Sequence, residues 1–259
     1  MIVRVGEPYG KVHAMGAEEE LARRFARFAG SLYLPDADEV RERITAVMLD
    51  LVPGCDQASL SLSDRHGGIV TAAATGWAAV RAGEIQHETG SGPSLDAIRV
   101  HPLCQVDDLL LDENWPEFSR QAAQQAGIRC MLAVRLAAGD DVLGALNLYA
   151  GRPYALGVTA VARAGPLAEH AALALATATC RRSCAELTEA LHSCRSIGIA
   201  LGIIMAQRRV TSQDAFDVLR RCAQRQHRKV REMAADIALS GEVPEAGPRP
   251  AVRTPDPSR

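Results

Sequence analysis

The chain has 259 residues, 47% of them hydrophobic, and a formal net charge of -2, which allows one large or two smaller packed domains and gives no whole-chain case for nucleic acid. Aromatics make up only 4%, so the cores must be built from aliphatic residues and alanine. The N-terminus lacks the apolar run of a secretory signal, no stretch approaches the roughly 20 apolar residues of a membrane span, and seven scattered cysteines form no disulfide framework, so a reducing cytoplasm is expected.

Residues 1–16 lack a clear period and contain Gly6, Pro8, Gly10 and Gly16, which reads as a flexible N-terminal tail. From Ala17 to about Leu34 the positions Leu21, Phe25, Phe28 and Leu32 recur at helical spacing behind Glu18, Glu19 and Glu20. A second helix is expected over Ala37 to Leu51, with Val40, Ile44, Val47, Met48 and Leu51 on one stripe and Pro53-Gly54 as its stop. Ala58 to Ser63 alternates at period two, Asp64 to Gly68 reads as a turn, and Ile69-Val70-Thr71 completes a hairpin signal.

A short helix should close near Glu84 to Glu88, a loop is expected over Thr89 to Pro93, and helix should resume over Ser94 to Arg99. Another helix is expected near Trp115 to Gln125. Cys130 to Val134 and Val142 to Tyr149 read as adjacent strands about the turn Ala138 to Asp141. From Val158 to Ala178 the chain is helical and alanine-dense, with Pro166 as a boundary or kink.

Cys180, Cys184, Leu187, Leu191, Cys194, Gly198, Leu201 and Met205 then follow 4-3 spacing, the period of a heptad. Such a stripe is either buried within one chain or covered by a second copy. The stretch Ile197 to Met205 is apolar on nearly every side and needs burial on more than one face, which favours a homodimer through the connector and this helix. Thr211 to Asp214 matches a capping box opening a helix to Arg225. Val230, Met233, Ala234, Ile237 and Ala238 place a last helix that Ser240-Gly241 ends, and residues 241–259 read as a disordered tail.

Two resemblances follow from ordered sets of short motifs. Gln86-His87-Glu88-Thr89-Gly90-Ser91-Gly92-Pro93-Ser94, Asp107-Asp108-Leu109, Trp115-Pro116-Glu117-Phe118, Gly127-Ile128-Arg129-Cys130 and Gly144 to Tyr149 together resemble a GAF domain of the kind that precedes RNA-binding modules in actinobacterial regulators. Arg195 to Met205, Asp214-Ala215-Phe216, Leu219-Arg220, Gln224 and Lys229 to Ala234 are similar to the ANTAR domain of transcription antitermination regulators. Many members of these families carry lysine where Leu201 stands, serine where Ala223 stands and cysteine where Ser94 stands. The first departure removes a phosphate contact and the last removes thiol chemistry.

The fold class these resemblances imply is α+β: a GAF-like antiparallel sheet flanked by helices, then a helical connector and a three-helix ANTAR-like bundle. The expected division is a sensor over 17–178, a connector over 179–186 and an RNA-binding bundle over 187–240. Within Leu187 to Leu239 nine basic residues face five acidic ones, a local surplus suited to phosphate or a solvated basic face. By analogy with the family, Arg195, Arg208, Gln224, Arg228, Lys229 and Arg231 are the RNA-contact candidates. Gln86, Gly92, Ser94, Asp107 and Trp115 are candidates for the lining of a small-molecule effector pocket in the sensor.

Enzyme chemistry finds no support. Gly10-Lys11 lacks the rest of a phosphate loop, Ser94 lacks the glycine of a nucleophile elbow, and Cys180, Cys184, His192 and Cys194 fit no common zinc spacing. No catalytic residue, metal or cofactor is expected. The resemblance implies an RNA-binding antitermination regulator that binds paired stem-loops in nascent transcripts under control of its sensor, with a DNA-binding regulator or a purely protein-binding signalling module as the rival readings.

Overall fold

The computed structural model describes residues 9–32, 36–64 and 68–244. These divide into two compact units at Arg181 and Arg182.

The first unit opens with α1 (Tyr9–Ser31) and α2 (Ala37–Leu51), followed by the strands β1 (Gln57–Ser63) and β2 (Ile69–Ala74). Then come α3 (Trp77–Thr89), α4 (Pro93–Arg99), β3 (Leu103–Val106), a 3-10 turn (Leu109–Leu111), α5 (Pro116–Ala126), β4 (Cys130–Ala138) and β5 (Asp141–Ala150). The strands form one antiparallel sheet in the order β2-β1-β5-β4-β3. Helix α1 starts at Tyr9 rather than near residue 17, which corrects the boundary drawn at residue 16. Gly10 and Gly16 each cost a helix only about 1 kcal/mol, whereas no proline follows Pro8 before Pro35.

Helices cover both faces of the sheet, so its strands are buried on both sides. On one face Val40, Ile44 and Met48 of α2, with Phe28 and Leu32, pack on Leu60, Leu132, Leu146 and Leu148. On the other, Ala79, Ala82 and Ile85 of α3 and Phe118 and Ala122 of α5 pack on Met131, Ala133, Ala145 and Tyr149. The period of two along β5 thereby sends Asn147 to the second face, opposite Ser59 of β1. At Gly144, with φ of 157°, an added Cβ would lie 1.9 Å from the Ser61 carbonyl oxygen, so β1 and β5 pair there only because that atom is absent.

Helix α6 (Val158–Arg208) runs unbroken for 51 residues, through Pro166. Proline removes one backbone hydrogen bond and costs about 3 kcal/mol in a helix interior, but Ala164, Leu167, Ala168 and Ala171 around it are fully buried, and this burial holds the helix through the break. From Arg195 to Arg208 the helix has no charged residue between its two arginines. It accordingly contains an 18-residue window apolar enough in length and composition to cross a membrane, with only 11% of that window buried. That corrects the expectation that no stretch approaches such a span.

In the second unit the end of α6 packs with α7 (Ser212–Arg225) and α8 (Val230–Ser240). Ala200 and Ile204 meet Ala215, Val218, Leu219, Cys222, Met233, Ala234 and Ile237 in one core. The Thr211 hydroxyl oxygen accepts from Asp214 N at the start of α7. Gly241, at φ of 73°, donates to the Ile237 carbonyl and closes α8. The tail expected over 241–259 lies outside the described residues from 245 onward.

Candidate functional site

In the sensor unit the candidate site begins where α3 ends. Gly90 and Gly92, at φ of 65° and 152°, turn the chain back so that Pro93 starts α4. A Cβ on Gly92 would sit 2.4 Å from Gln86 Cγ, so the loop crosses Gln86 only as glycine. Gln86 then clamps the new helix. Its Oε1 accepts from Ser94 N and its Nε2 donates to Ser94 Oγ, both at 2.8 Å.

The Ser94 hydroxyl donates to Asn147 Oδ1 at 2.7 Å, and Asn147 Nδ2 donates to Ser61 Oγ at 2.9 Å and Ser59 Oγ at 3.3 Å. Ser59 Oγ bonds the Tyr149 hydroxyl at 3.0 Å, and burial pushes that phenol above its usual range. All six residues are buried. A continuous chain of neutral hydrogen bonds therefore joins α3 and α4 to the two central strands, and its members, each at most 4% exposed, satisfy one another rather than bulk solvent.

This chain ends at a cleft of about 630 Å³ lined by Ser61, Thr71, Gln86, His87, Ser94 and Arg99, among others. Two of the five expected pocket residues, Gln86 and Ser94, line it, and Gly92 lies beside them against Gln86. Asp107 and Trp115 are not brought there. Asp107 is exposed after β3 and accepts from Gln105 Nε2 at 2.7 Å. Trp115 caps α5 with its ring against the second core, and its Nε1 donates to Asp96 Oδ2 at 2.9 Å.

Ser59, Ser61 and Asn147 escaped sequence reasoning, although the serines were visible as alternate positions of a strand. Also missed was the bidentate pair of Arg129 with Asp108 at 3.0 and 2.7 Å, which holds the Asp108 carboxyl below its ordinary range.

In the second unit all six RNA-contact candidates are exposed, but they do not form one site. Arg228 is paired with Asp236 and lies 3.8 Å from Glu232, and Arg231 is paired with Glu189 at 3.0 Å. Arg208 instead donates to the Pro244 carbonyl at 3.1 Å. Glu189 and Arg208 stand about 28 Å apart along α6 at 1.5 Å per residue. Lys229 precedes α8 as its N-cap, and neither it nor Arg195 has a carboxylate partner among the described residues.

The heptad stripe is largely open within the chain, except at Leu201, which is half-buried against the core of the second unit. Leu187 and Leu191 are 63% and 64% exposed, Cys180, Cys184 and Cys194 are exposed, and Met205 is 37% exposed. Cβ atoms built on Gly198 and Gly202 meet nothing within 4 Å, so close packing inside the chain does not explain these glycines. The other four cysteines are buried, and burial pushes the Cys55 thiol up to about 12.

Comparison with known proteins agrees with this division. The GAF domain model matches residues 35–176 and the ANTAR domain model residues 185–237. No curated protein matches the chain. Among solved structures, the chain is similar to the GAF domain of a phosphoenolpyruvate-protein phosphotransferase from Coxiella burnetii, at 16% identity and a TM-score of 0.49, covering 63% of this chain and 96% of that one. It is also similar to a free methionine-R-sulfoxide reductase from Neisseria meningitidis, at 14% identity and a TM-score of 0.49, covering 61% and 90%. The GAF match spans more than half of the chain, and the ANTAR match adds an RNA-binding antiterminator module to that sensor module: the protein belongs to the GAF domain family and is a GAF and ANTAR regulator.

Proposed function

We propose that the protein is a cytoplasmic, non-enzymatic antitermination regulator that works as a homodimer, binding paired stem-loops of a nascent transcript under control of its GAF unit. The observation that carries the reading is the exposed heptad stripe of α6. It lies on the same helix that delivers Ala200 and Ile204 to the ANTAR core, so a second copy covering the stripe duplicates the basic surface, and a duplicated surface is what two adjacent hairpins require. Apolar side chains at a and d positions gain their burial from an in-register partner helix. The neutral hydrogen-bonding floor of the sensor cleft suits a small polar effector, which would act by favouring one arrangement of the α6 pair over another.

The test is competition. Full-length protein is offered a two-hairpin RNA and a duplex DNA of equal length, with sedimentation run in parallel on wild type and Leu191→Glu. The reading expects preference for RNA and loss of the dimer in the variant. Preference for the duplex, or a wild-type monomer at the concentrations that bind RNA, overturns it.

A further inference from the structure

The sensor cleft has a floor and a rim of different character. Ser61 and Thr71 stand opposite each other in β1 and β2, so their side chains share one face of the sheet, and both line the cleft. The Ser61 oxygen accepts from Asn147 Nδ2 at 2.9 Å, which leaves its hydrogen without an acceptor among the described residues. The half-buried Thr71 hydroxyl has no hydrogen-bond partner among them either. Gln86 and Ser94, by contrast, turn their polar atoms to each other and to Asn147. Two unused donors therefore sit side by side on the floor.

The rim carries charge. Glu84 and Glu88 line the cleft, but Arg81 holds both: it donates to Glu84 Oε2 at 2.8 Å and to the two Glu88 oxygens at 2.8 and 3.0 Å. Arg99, at the end of α4, also lines the cleft. Its exposed guanidinium has no ion pair or hydrogen bond among the described residues. Along α4 it lies about 7.5 Å beyond Ser94 at 1.5 Å per residue. Ile69, Val80 and Leu95 give the lining its apolar part.

We propose that the effector of this cleft is a small monocarboxylate whose apolar body carries an oxygen acceptor at its other end, with Arg99 gripping the carboxylate and Ser61 and Thr71 donating to the second oxygen. A guanidinium presents a planar fork that matches a carboxylate. One such group is balanced by Arg99, whereas a dianion meets the negative charge that two glutamates keep against a single Arg81. A cation would face Arg99 directly. This inference rests on the reading of the cleft as the effector site of the sensor.

The experiment is isothermal titration of full-length protein with levulinate and with its homologues lengthened by one and by two methylenes, for wild type, R99Q, R99K and T71V. At least one acid should bind wild type saturably. R99Q should weaken it about 10-fold or more, and T71V, which is isosteric and removes no internal bond, about 2- to 10-fold. R99K should fall between wild type and R99Q, because the ammonium keeps the charge but not the fork. Melting temperatures equal to wild type exclude misfolding as the cause of the losses.

Glutarate, levulinamide and pentylamine are titrated alongside. If the amide or the amine binds and weakens in T71V while the acids do not bind, the cleft remains an effector site and the monocarboxylate is wrong. Glutarate binding as tightly as the best monoacid defeats the single charge. Acids that bind equally to wild type, R99Q and T71V lie elsewhere, and the proposal fails. If none of these molecules binds, the effector reading of the cleft falls with it.

Discussion

Replacing Asn147 by leucine tests the buried hydrogen-bond chain that joins the sensor cleft to the sheet. The side chain is fully buried, its Oδ1 accepts from Ser94 Oγ, and its Nδ2 donates to Ser61 and Ser59. In Asn147→Leu the Ser59 hydroxyl keeps Tyr149 and the Ser94 oxygen keeps Gln86 Nε2. The Ser94 hydroxyl hydrogen loses its acceptor, and Ser61 loses the partner bonded to its oxygen. Two stranded groups at about 1–3 kcal/mol each give a loss of roughly 2–6 kcal/mol, reduced somewhat by the added apolar burial. Both tryptophans, Trp77 and Trp115, lie in this unit, so tryptophan fluorescence in urea reads its unfolding alone. At a slope of about 2 kcal/mol/M the midpoint falls by roughly 1–3 M. Adding Ser61→Ala removes one stranded hydroxyl and should recover about 1–3 kcal/mol. A midpoint for Asn147→Leu equal to wild type, or no recovery in the double variant, refutes the reasoning.

Gly144→Ala should unfold the sensor unit outright, on the order of 4 kcal/mol or more, because the new Cβ would meet the Ser61 carbonyl backbone at 1.9 Å; a urea midpoint near wild type would contradict the pairing of β1 with β5 described here. The Asp108 carboxyl, held low mainly by its hydrogen bond to Arg129, contributes stability present above the unfolded value of about 3.9 and lost as pH falls through its folded value. The stability difference between wild type and Asp108→Asn should therefore narrow from pH 7 toward pH 3 in thermal melts, and a constant difference would count against the pair. In a parallel dimer, a protein keeping Cys184 as its sole exposed cysteine should cross-link between protomers when treated with an oxidised low-molecular-weight disulfide, one intersubunit bond forming as two small thiols leave. Failure to cross-link at concentrations where sedimentation gives a dimer would place the seam elsewhere.

Residues that were readable from sequence were those whose environment repeats along the chain. Val40, Ile44 and Met48 mark α2, and Met233, Ala234 and Ile237 mark α8, because each buries one face of a regular helix. The strand β3 was missed because it is only four residues long and sits at the sheet edge, pairing with β4 alone. The alternation Ala58 to Ser63 located β1 but not the role of its serines: polar alternate positions ordinarily face water, and here α3, α4 and α5 cover that face as well. In the ANTAR unit a charge count finds the basic surplus but not its pairing. Arg231 meets Glu189 from 42 residues away and Arg228 meets Asp236 from eight, separations that no helical spacing rule links.

That pairing sets the salt dependence of RNA binding. A phosphate attracts a free guanidinium at the expense of its counterions, but a guanidinium already bonded to carboxylate must first give up that partner, so its contribution to counterion release is small. Of the nine basic residues between Leu187 and Leu239, Arg220, Arg228 and Arg231 are paired with carboxylates, and Arg225 also has a partner interaction. Arg195, Arg208, Arg209, Arg221 and Lys229 remain. At about 0.7–0.9 per phosphate contact, these five bound the slope of log affinity against log salt at roughly -3.5 to -4.5 per protomer, against roughly -6 to -8 if all nine engaged. Anisotropy titrations of full-length protein with the two-hairpin RNA measure this slope. A value near -7 per protomer would mean that RNA breaks the Arg228 and Arg231 pairs on binding. In that case Asp236→Asn, which frees Arg228 beforehand, would raise affinity, whereas the pairing seen here predicts that it mainly lowers the stability of α8.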